Sequence, residues 1–382
     1  MDELREAAAA ARSWLFEGVF PRWSTAGFDA GSGQFVERLS FAGEPLALPR
    51  RTLVQARQLY VFAAAGRLGW SGPWRALLQQ AGEALLARGR GAEGDWCFDF
   101  GPDGGPRDQR CDLYTQAFVM FGLAHAGQAL GRAEFVDAAA ATAERLEAWR
   151  HPAGGYREAG ADRRRQNPHM HLLEAFLALH VASGAAEPLS RAAELAELFR
   201  GRFLDPRSGA LLEYFDDDWR PLEDLVEPGH EFEWVWLLDR LRRAGGPDLE
   251  AECDRLFRHG EGLGVADNGL AFDEIAVDGR PLRRSHRLWP QTERLKAGLA
   301  RWRRRGDAAD LATALAAWGA MQVYFEGLPP GAWRDRAFTD GGWEEGGAPA
   351  SSGYHVVCAL EELIAAAETG PDAGFPPAAG VV

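Results

Sequence analysis

At 382 residues the chain exceeds one ordinary hydrophobic core, so two domains or one large closed architecture are expected. Its 46% hydrophobic and 26% charged residues are ordinary for a globular protein and exclude disorder over most of its length. The 42 basic and 56 acidic residues give a net charge of −14, and the basic residues form no stripe, which argues against nucleic acid as a partner.

Apolar residues at i, i+3, i+4 and i+7 mark about twelve helical segments: 3–19, 50–67, 73–88, 111–129, 132–149, 168–183, 187–203, 228–244, 247–261, 286–304, 306–325 and 352–368. Short connections such as "GRLGWSGP" and "RAGGPD" follow the even-numbered segments and predict antiparallel helical hairpins. Long ones such as "GDWCFDFGPDGGPRDQR" and "GVADNGLAFDEIAVDGRPLRR" precede them. Alternating apolar residues around their DG turns predict short β-hairpins, and their Trp, Phe and Tyr content is unlike that of disordered linkers. All the long loops must then gather at one end.

One residue near the start of each even segment sets a register: Arg57, Tyr114, His171, His230, Trp289 and His355, at intervals of 57, 57, 59, 59 and 66. Such a period marks a repeat of helix–turn–helix units. Closure of six pairs into a ring, an all-α (α/α)6 barrel with short β-hairpins in the long loops, would bring these residues to one mouth. An open solenoid would string them along a groove. Residues 1–370 read as a single barrel domain and 371–382 as a flexible C-terminal tail.

The four cysteines, Cys97, Cys111, Cys253 and Cys358, form no CxxC, which suggests neither a zinc ribbon nor a disulfide framework and fits a reducing compartment. The start "MDELREAAAAARSWLF" lacks the layout of a signal peptide, and no stretch reaches the roughly 20 apolar residues of a membrane span. A soluble cytoplasmic protein, monomer or homodimer, without membrane contact is expected. The runs "RRRGD" and "DRRR" read as solvated charge; Arg163, Arg164 and Arg165 could meet an anionic group but fit a solvated loop better.

His171 and Glu174 are three apart and share a helix face, and His230 and Glu233 repeat that spacing. One histidine at a helix start is ordinarily a cap or a half-buried polar residue. Three in register, His171, His230 and His355, point to a site. They could bind zinc with an open fourth position, Glu174 and Glu233 standing behind them. They could equally serve as acid and base, since imidazole titrates near neutrality. His169 lies on another face and reads as structural, and Trp234 and Trp236 read as packing. A glycoside hydrolase would use Glu233 and Glu293 and leave the histidines unexplained. A protein-binding superhelix would need an apolar groove.

The motifs "RQLYVFA", "DLYTQAFVMFGLAHA", "NPHMHLLEAFLALH", "EPGHEFEWVWLLDRL", "SHRLWPQTERLKAGLA" and "SSGYHVVCALEEL", in this order, resemble the N-acylglucosamine 2-epimerase superfamily, whose members include mannose isomerases and cellobiose 2-epimerases. The resemblance runs from Arg57 to His355. It implies an (α/α)6 barrel acting on a small monosaccharide, with no metal and no cofactor in the proton transfer. It makes His230 and His355 the general acid and base, with Arg57 stabilising the developing oxyanion and Glu233 orienting His230. His171 matches the second histidine of the pattern N-x-x-M-H-x-x-E-A, which Asn167 opens and whose glutamate is Glu174. Tyr114, Asn167, Glu174, Trp289, Gln291 and Glu293 would hold the sugar. The implied chemistry opens the pyranose and removes the C2 proton to give a cis-enediolate. The proton's return to C1 gives a ketose, and its return to the opposite face of C2 gives the epimer. "GAPASSGYHVVCALEEL" is similar to the mannose isomerase pattern, so interconversion of D-mannose and D-fructose is expected, with 2-epimerisation as the alternative.

Overall fold

The computed structural model describes residues 1–91, 93–158 and 163–371. The expected tail therefore lies outside the described residues from 372 onward. Among the described residues twelve helices alternate between an outer and an inner ring. The first, α1 (Asp2–Trp14), runs on through a π turn, Leu15–Val19, into Phe20–Ser24. It is followed by α2 (Thr52–Arg67), α3 (Trp74–Arg88), α4 (Leu113–Leu130), α5 (Ala133–Leu146), α6 (Gln166–Ser183), α7 (Ala186–Leu198), α8 (Pro228–Arg243), α9 (Glu250–Leu263), α10 (Leu288–Arg305), α11 (Ala308–Gln322) and α12 (Ala350–Thr369).

The two rings differ in how the sequence buries them. Outer helices are amphipathic: α5 buries Phe135, Ala139, Thr142, Ala143 and Leu146, a stripe at helical spacing. Inner helices are enclosed on nearly every side, and α2 is buried continuously from Thr52 to Ala65. Such a helix lies between the outer ring and the barrel axis. Gly122 on α4 permits a close crossing of α2, because a Cβ there would stand 2.4 Å from the Ala56 carbonyl oxygen. Side chains of Asp112 and Asp307 cap α4 and α11, and left-handed Gly131, Gly184 and Gly306 end α4, α6 and α10.

Closure is visible in the long loops. Hairpins do form within them, as at Phe28–Asp29 with Gln34–Phe35. Five further strand pairs join neighbouring loops: Arg50–Arg51 to Asp99–Phe100, Arg164–Arg165 to Tyr214–Phe215, Leu225–Val226 to Ile275–Ala276, Ser285–Arg287 to Arg336–Phe338, and Ala348–Pro349 back to Arg38–Leu39. The last of these joins the sixth long loop to the first, and α12 packs against both α1 and α2. The ring is therefore a barrel and not an open solenoid.

Of the arginine runs expected to be solvated, Arg163 and Arg305 are exposed as expected, while Arg164 and the side chain of Arg303 are buried, and most of the run residues form ion pairs. Arg303 is buried against Glu362, and Arg304 and Arg305 bind Asp248, Glu250 and Asp254. Arg163 pairs with Glu223, and Arg165 with Glu158. Arg164 is buried and donates to the Gly154 and Tyr156 carbonyls. Among the described residues no helix is long and apolar enough to cross a membrane, and all four cysteines are free thiols.

Candidate active site

The six residues of the sequence register meet around one mouth. Arg57 donates to the Tyr114 hydroxyl at 2.9 Å, and the Tyr114 ring meets His171 edge-on at 5.1 Å. Trp289 lies against both His230, at 4.9 Å between ring centres, and His355, at 5.6 Å. The indole has this position because Gly229 leaves room for it: a Cβ on Gly229 would stand 2.4 Å from the ring.

Each histidine is oriented by its own carboxylate. His230 Nδ1 is 2.9 Å from Glu213 Oε1. The other Glu213 oxygen accepts from the Gln166 amide at 2.9 Å, and Gln166 in turn accepts from the Trp234 indole N–H at 2.8 Å. His355 Nδ1 is 2.8 Å from Glu293 Oε1, and Glu293 Oε2 is 2.6 Å from the Lys296 ammonium. His171 Nδ1 is 3.1 Å from Glu174 Oε2, and the remaining Glu174 oxygen accepts from Tyr354 Oη. With Nδ1 occupied, each ring has Nε2 left for the pocket. Arg57 is pinned from another side by the Ser351 carbonyl at 3.1 Å, and its guanidinium lies over the Phe118 ring at 4.1 Å.

These environments push the histidines apart. Burial works against a charge on His230, yet the carboxylates of Glu213 and Glu227 outweigh it and push the imidazole up to about 9. Burial lowers His171 to about 4 against the pull of Glu174. Burial, reinforced by Arg57 and Lys296, holds His355 well below the ordinary histidine range. At neutral pH His230 is a cation, whereas His171 and His355 are neutral. Burial, with Glu293 beside it, also pushes Glu233 well above the carboxylate range.

Several expected roles change. Glu233 does not orient His230: neither of its oxygens has a hydrogen-bond partner, and it comes within 4.0 Å of His171 Nδ1. Glu213 orients His230, and the sequence reading missed it because it lies in a long loop, 17 residues before the histidine. Glu293 is fully buried and holds His355, so it has no oxygen to offer a sugar hydroxyl. Glu174 is likewise taken up by His171 and Tyr354. Gln291 does not face the mouth at all. Its amide oxygen accepts from Ala271 N–H at 2.9 Å, and its amide nitrogen donates to the Ala271 and Arg287 carbonyls. Asn167 keeps a buried side-chain oxygen with no hydrogen-bond partner.

Gln291 belongs to a recurring clip between inner helix and long loop. Gln55 holds the backbone of Phe35 in the same way, and Gln116 that of Trp96. Glu231 accepts from Leu211 N–H, and His169 Nε2 accepts from Tyr156 N–H at 3.0 Å. His169 is thus a loop clip, held at its other nitrogen by the Arg165 carbonyl.

Among the described residues, imidazole and carboxylate atoms within 4.8 Å of one another form three clusters: His171 with Glu174 and Glu233, His230 with Glu213 and Glu227, and His355 with Glu233 and Glu293. Each has one histidine, so the three rings do not share the single centre a three-histidine zinc site needs. In the third cluster Lys296 already supplies the positive charge. A glycoside hydrolase needs two carboxyl groups that can reach the substrate, whereas Glu233 and Glu293 are both fully buried.

The model of the N-acylglucosamine 2-epimerase (GlcNAc 2-epimerase) family matches residues 33–359. A mannose-6-phosphate isomerase of Rhizobium meliloti (strain 1021) is 39% identical over 92% of this chain and 95% of its own length. A D-mannose isomerase of Thermobifida fusca is 30% identical over 74% of this chain and 76% of its own. The solved structure of cellobiose 2-epimerase from Bacillus thermoamylovorans B4167 superposes with a TM-score of 0.84 at 21% identity, covering 94% of this chain and 98% of that one.

Proposed function

We propose that this chain, which belongs to the N-acylglucosamine 2-epimerase family, is an aldose–ketose isomerase that interconverts D-mannose and D-fructose. The observation that carries the reading is the unequal protonation of two imidazoles packed against one indole, His230 charged and His355 neutral. The D-mannose isomerase name of one relative and the mannose-6-phosphate isomerase name of another support a mannose-type substrate.

The sugar ring rests on Trp289. His230, as the imidazolium, donates to the ring oxygen on opening and, now neutral, takes the proton from the O1 hydroxyl, which frees the C1 aldehyde and restores the imidazolium. His355, through its free Nε2, takes the proton from C2. The negative charge that develops on the enediolate oxygens faces Arg57, whose guanidinium is fixed in advance by Tyr114 and Ser351 and needs no reorganisation. The six inner helices also direct their N-termini toward this mouth, and that end of a helix favours negative charge. His230 then gives its proton to O1 and takes the one on O2, and His355 returns the carbon-bound proton to C1, which leaves the C2 ketone and the C1 hydroxyl. His171, neutral and held by Glu174, offers Nε2 to a sugar hydroxyl beside Arg57.

A 2-epimerase is the second reading, favoured by the presence of two histidines against the same indole, which could serve the two faces of C2. Comparing kcat/KM on D-mannose, D-mannose 6-phosphate, N-acetylglucosamine and cellobiose tests the assignment. D-Mannose as the preferred substrate supports it. Turnover confined to N-acetylglucosamine or cellobiose defeats it, and a preference for the phosphate ester moves the substrate but keeps the reaction.

A further inference from the structure

His230 and His355 are built on parallel three-residue relays that differ by one charge. In one, the neutral Gln166 amide holds Glu213, which holds His230. In the other, the Lys296 ammonium holds Glu293, which holds His355. Lys296 is fully buried on α10, one helical turn below Glu293, with its Nζ 3.7 Å from the centre of the Trp236 ring and 3.8 Å from Cys358 Sγ. A buried lysine is costly unless its charge does something.

We propose that Lys296 is a positioning residue that fixes which of the two histidines is the base: its charge satisfies Glu293, so that carboxylate orients His355 without drawing a proton onto it. Among the described residues no cation is paired with Glu213 itself, and a second carboxylate, Glu227, which pairs with Arg287 at 3.0 Å, lies 4.0 Å from the same His230 nitrogen, so its histidine keeps the proton. Of the groups facing His355, the cations Arg57 and Lys296 favour the neutral ring and Glu174 opposes them. From α2 come Arg57 and Tyr60, from α6 His171 and Glu174, from α8 Glu233, from α10 Glu293, and from α12 itself Tyr354 and Cys358. Among them Lys296 is the cation bonded to the carboxylate that touches His355. Without it, Glu293 and His355 would form an ion pair of the Glu213–His230 kind. This inference rests on His355 being the base, and its test must not depend on turnover.

The experiment is an NMR titration of protein carrying 13C-labelled histidine, with the His355 resonance identified by its loss in His355→Gln. In the wild-type protein the His355 signal should stay that of a neutral ring between about pH 6 and 8. In Lys296→Met, which keeps the side-chain length without the charge, it should titrate at least one pH unit higher than in the wild type, and the acid limb of kcat/KM should move up with it. Lys296→Arg should restore the wild-type titration. A wild-type His355 that titrates near neutrality overturns the proposal without any variant. So does a folded Lys296→Met in which kcat falls while the titration and the acid limb stay in place, because that is a packing defect alone. If His355→Gln retains full activity, the reading of His355 as base fails separately from the Lys296 relay.

Discussion

Glu213 and His230 meet at 2.9 Å across the junction of a long loop and an inner helix, and this contact favours the protonated imidazole. Glu213→Gln keeps the shape and removes the charge. His230 should then fall from about 9 toward the ordinary histidine value, near pH 6.5, and the alkaline limb of kcat should move down with it. At pH 8 a loss of about 30-fold in kcat is expected, because the protonated fraction of His230 falls by that factor. A pH–rate profile of the variant checks this; an unmoved alkaline limb would contradict it.

The same pair bears on stability. Because the folded value of His230 is raised, its contribution is complete below about pH 6.5 and is lost as pH rises through about 9. His171, lowered to about 4, acts in the opposite direction: the unfolded chain takes up the proton first, so stability falls as pH drops from about 6.5 toward 4. Denaturant midpoints measured across pH should therefore peak between these limits, and in Glu213→Gln the alkaline decline from His230 should disappear.

Gly229→Ala tests the indole platform. A methyl group 2.4 Å from the Trp289 ring must push it off His230 and His355. About tenfold or greater loss in kcat/KM is expected, since sub-ångström placement of reacting groups governs rate, with an unchanged far-UV helical signal. Wild-type kinetics in this variant would mean that Trp289 does not seat the sugar.

His169→Ala and Gln291→Ala should behave as loop variants. Each leaves a buried backbone N–H without its acceptor, Tyr156 or Ala271, at a cost of about 1–3 kcal/mol. Thermal melts should fall while kcat at low temperature changes far less than in His230→Ala or His355→Ala, where about 10² is expected. Equal kinetic losses at His169 and His171 would show that the clip assignment is wrong.

The contrast between His169 and His171 also shows what the sequence could tell. Two residues apart on a helix is about 200° of rotation, so His169 and His171, or Gln291 and Trp289, face opposite ways: one of each pair toward the loop, the other toward the axis. The 57-to-66-residue register found the axis-facing set, and the helices were legible because enclosed inner segments and striped outer ones have a strong period. The strand pairs between loops are mostly two residues long, too short for any alternation to be read. Glu213 was invisible because its contact with His230 depends on how a long loop folds back. Glu233 was misread because sharing a helix face with His230 does not bring two side chains into contact. It sits one turn deeper, beside His171 and Glu293.

Chelation should leave the rate unchanged. In the proposed mechanism Arg57 and the His230 cation meet the charge that develops on the sugar oxygens, and the carboxylates near the histidines are occupied in orienting them or, at Glu233, buried and raised toward the neutral form. Activity after exhaustive EDTA treatment, assayed in metal-free buffer, checks this; loss restored by one divalent ion would contradict it.

The central claim, proton return to C1 by His355, is tested most directly by following the purified protein with D-mannose in deuterium oxide by proton NMR at early times. Fructose signals should appear first, with glucose at most a minor product, and mannose tritiated at C2 should deliver part of its label to C1 of fructose, because a base as enclosed as His355 exchanges slowly with solvent. Glucose as the major early product with fructose absent would contradict the isomerase assignment and make the chain a 2-epimerase.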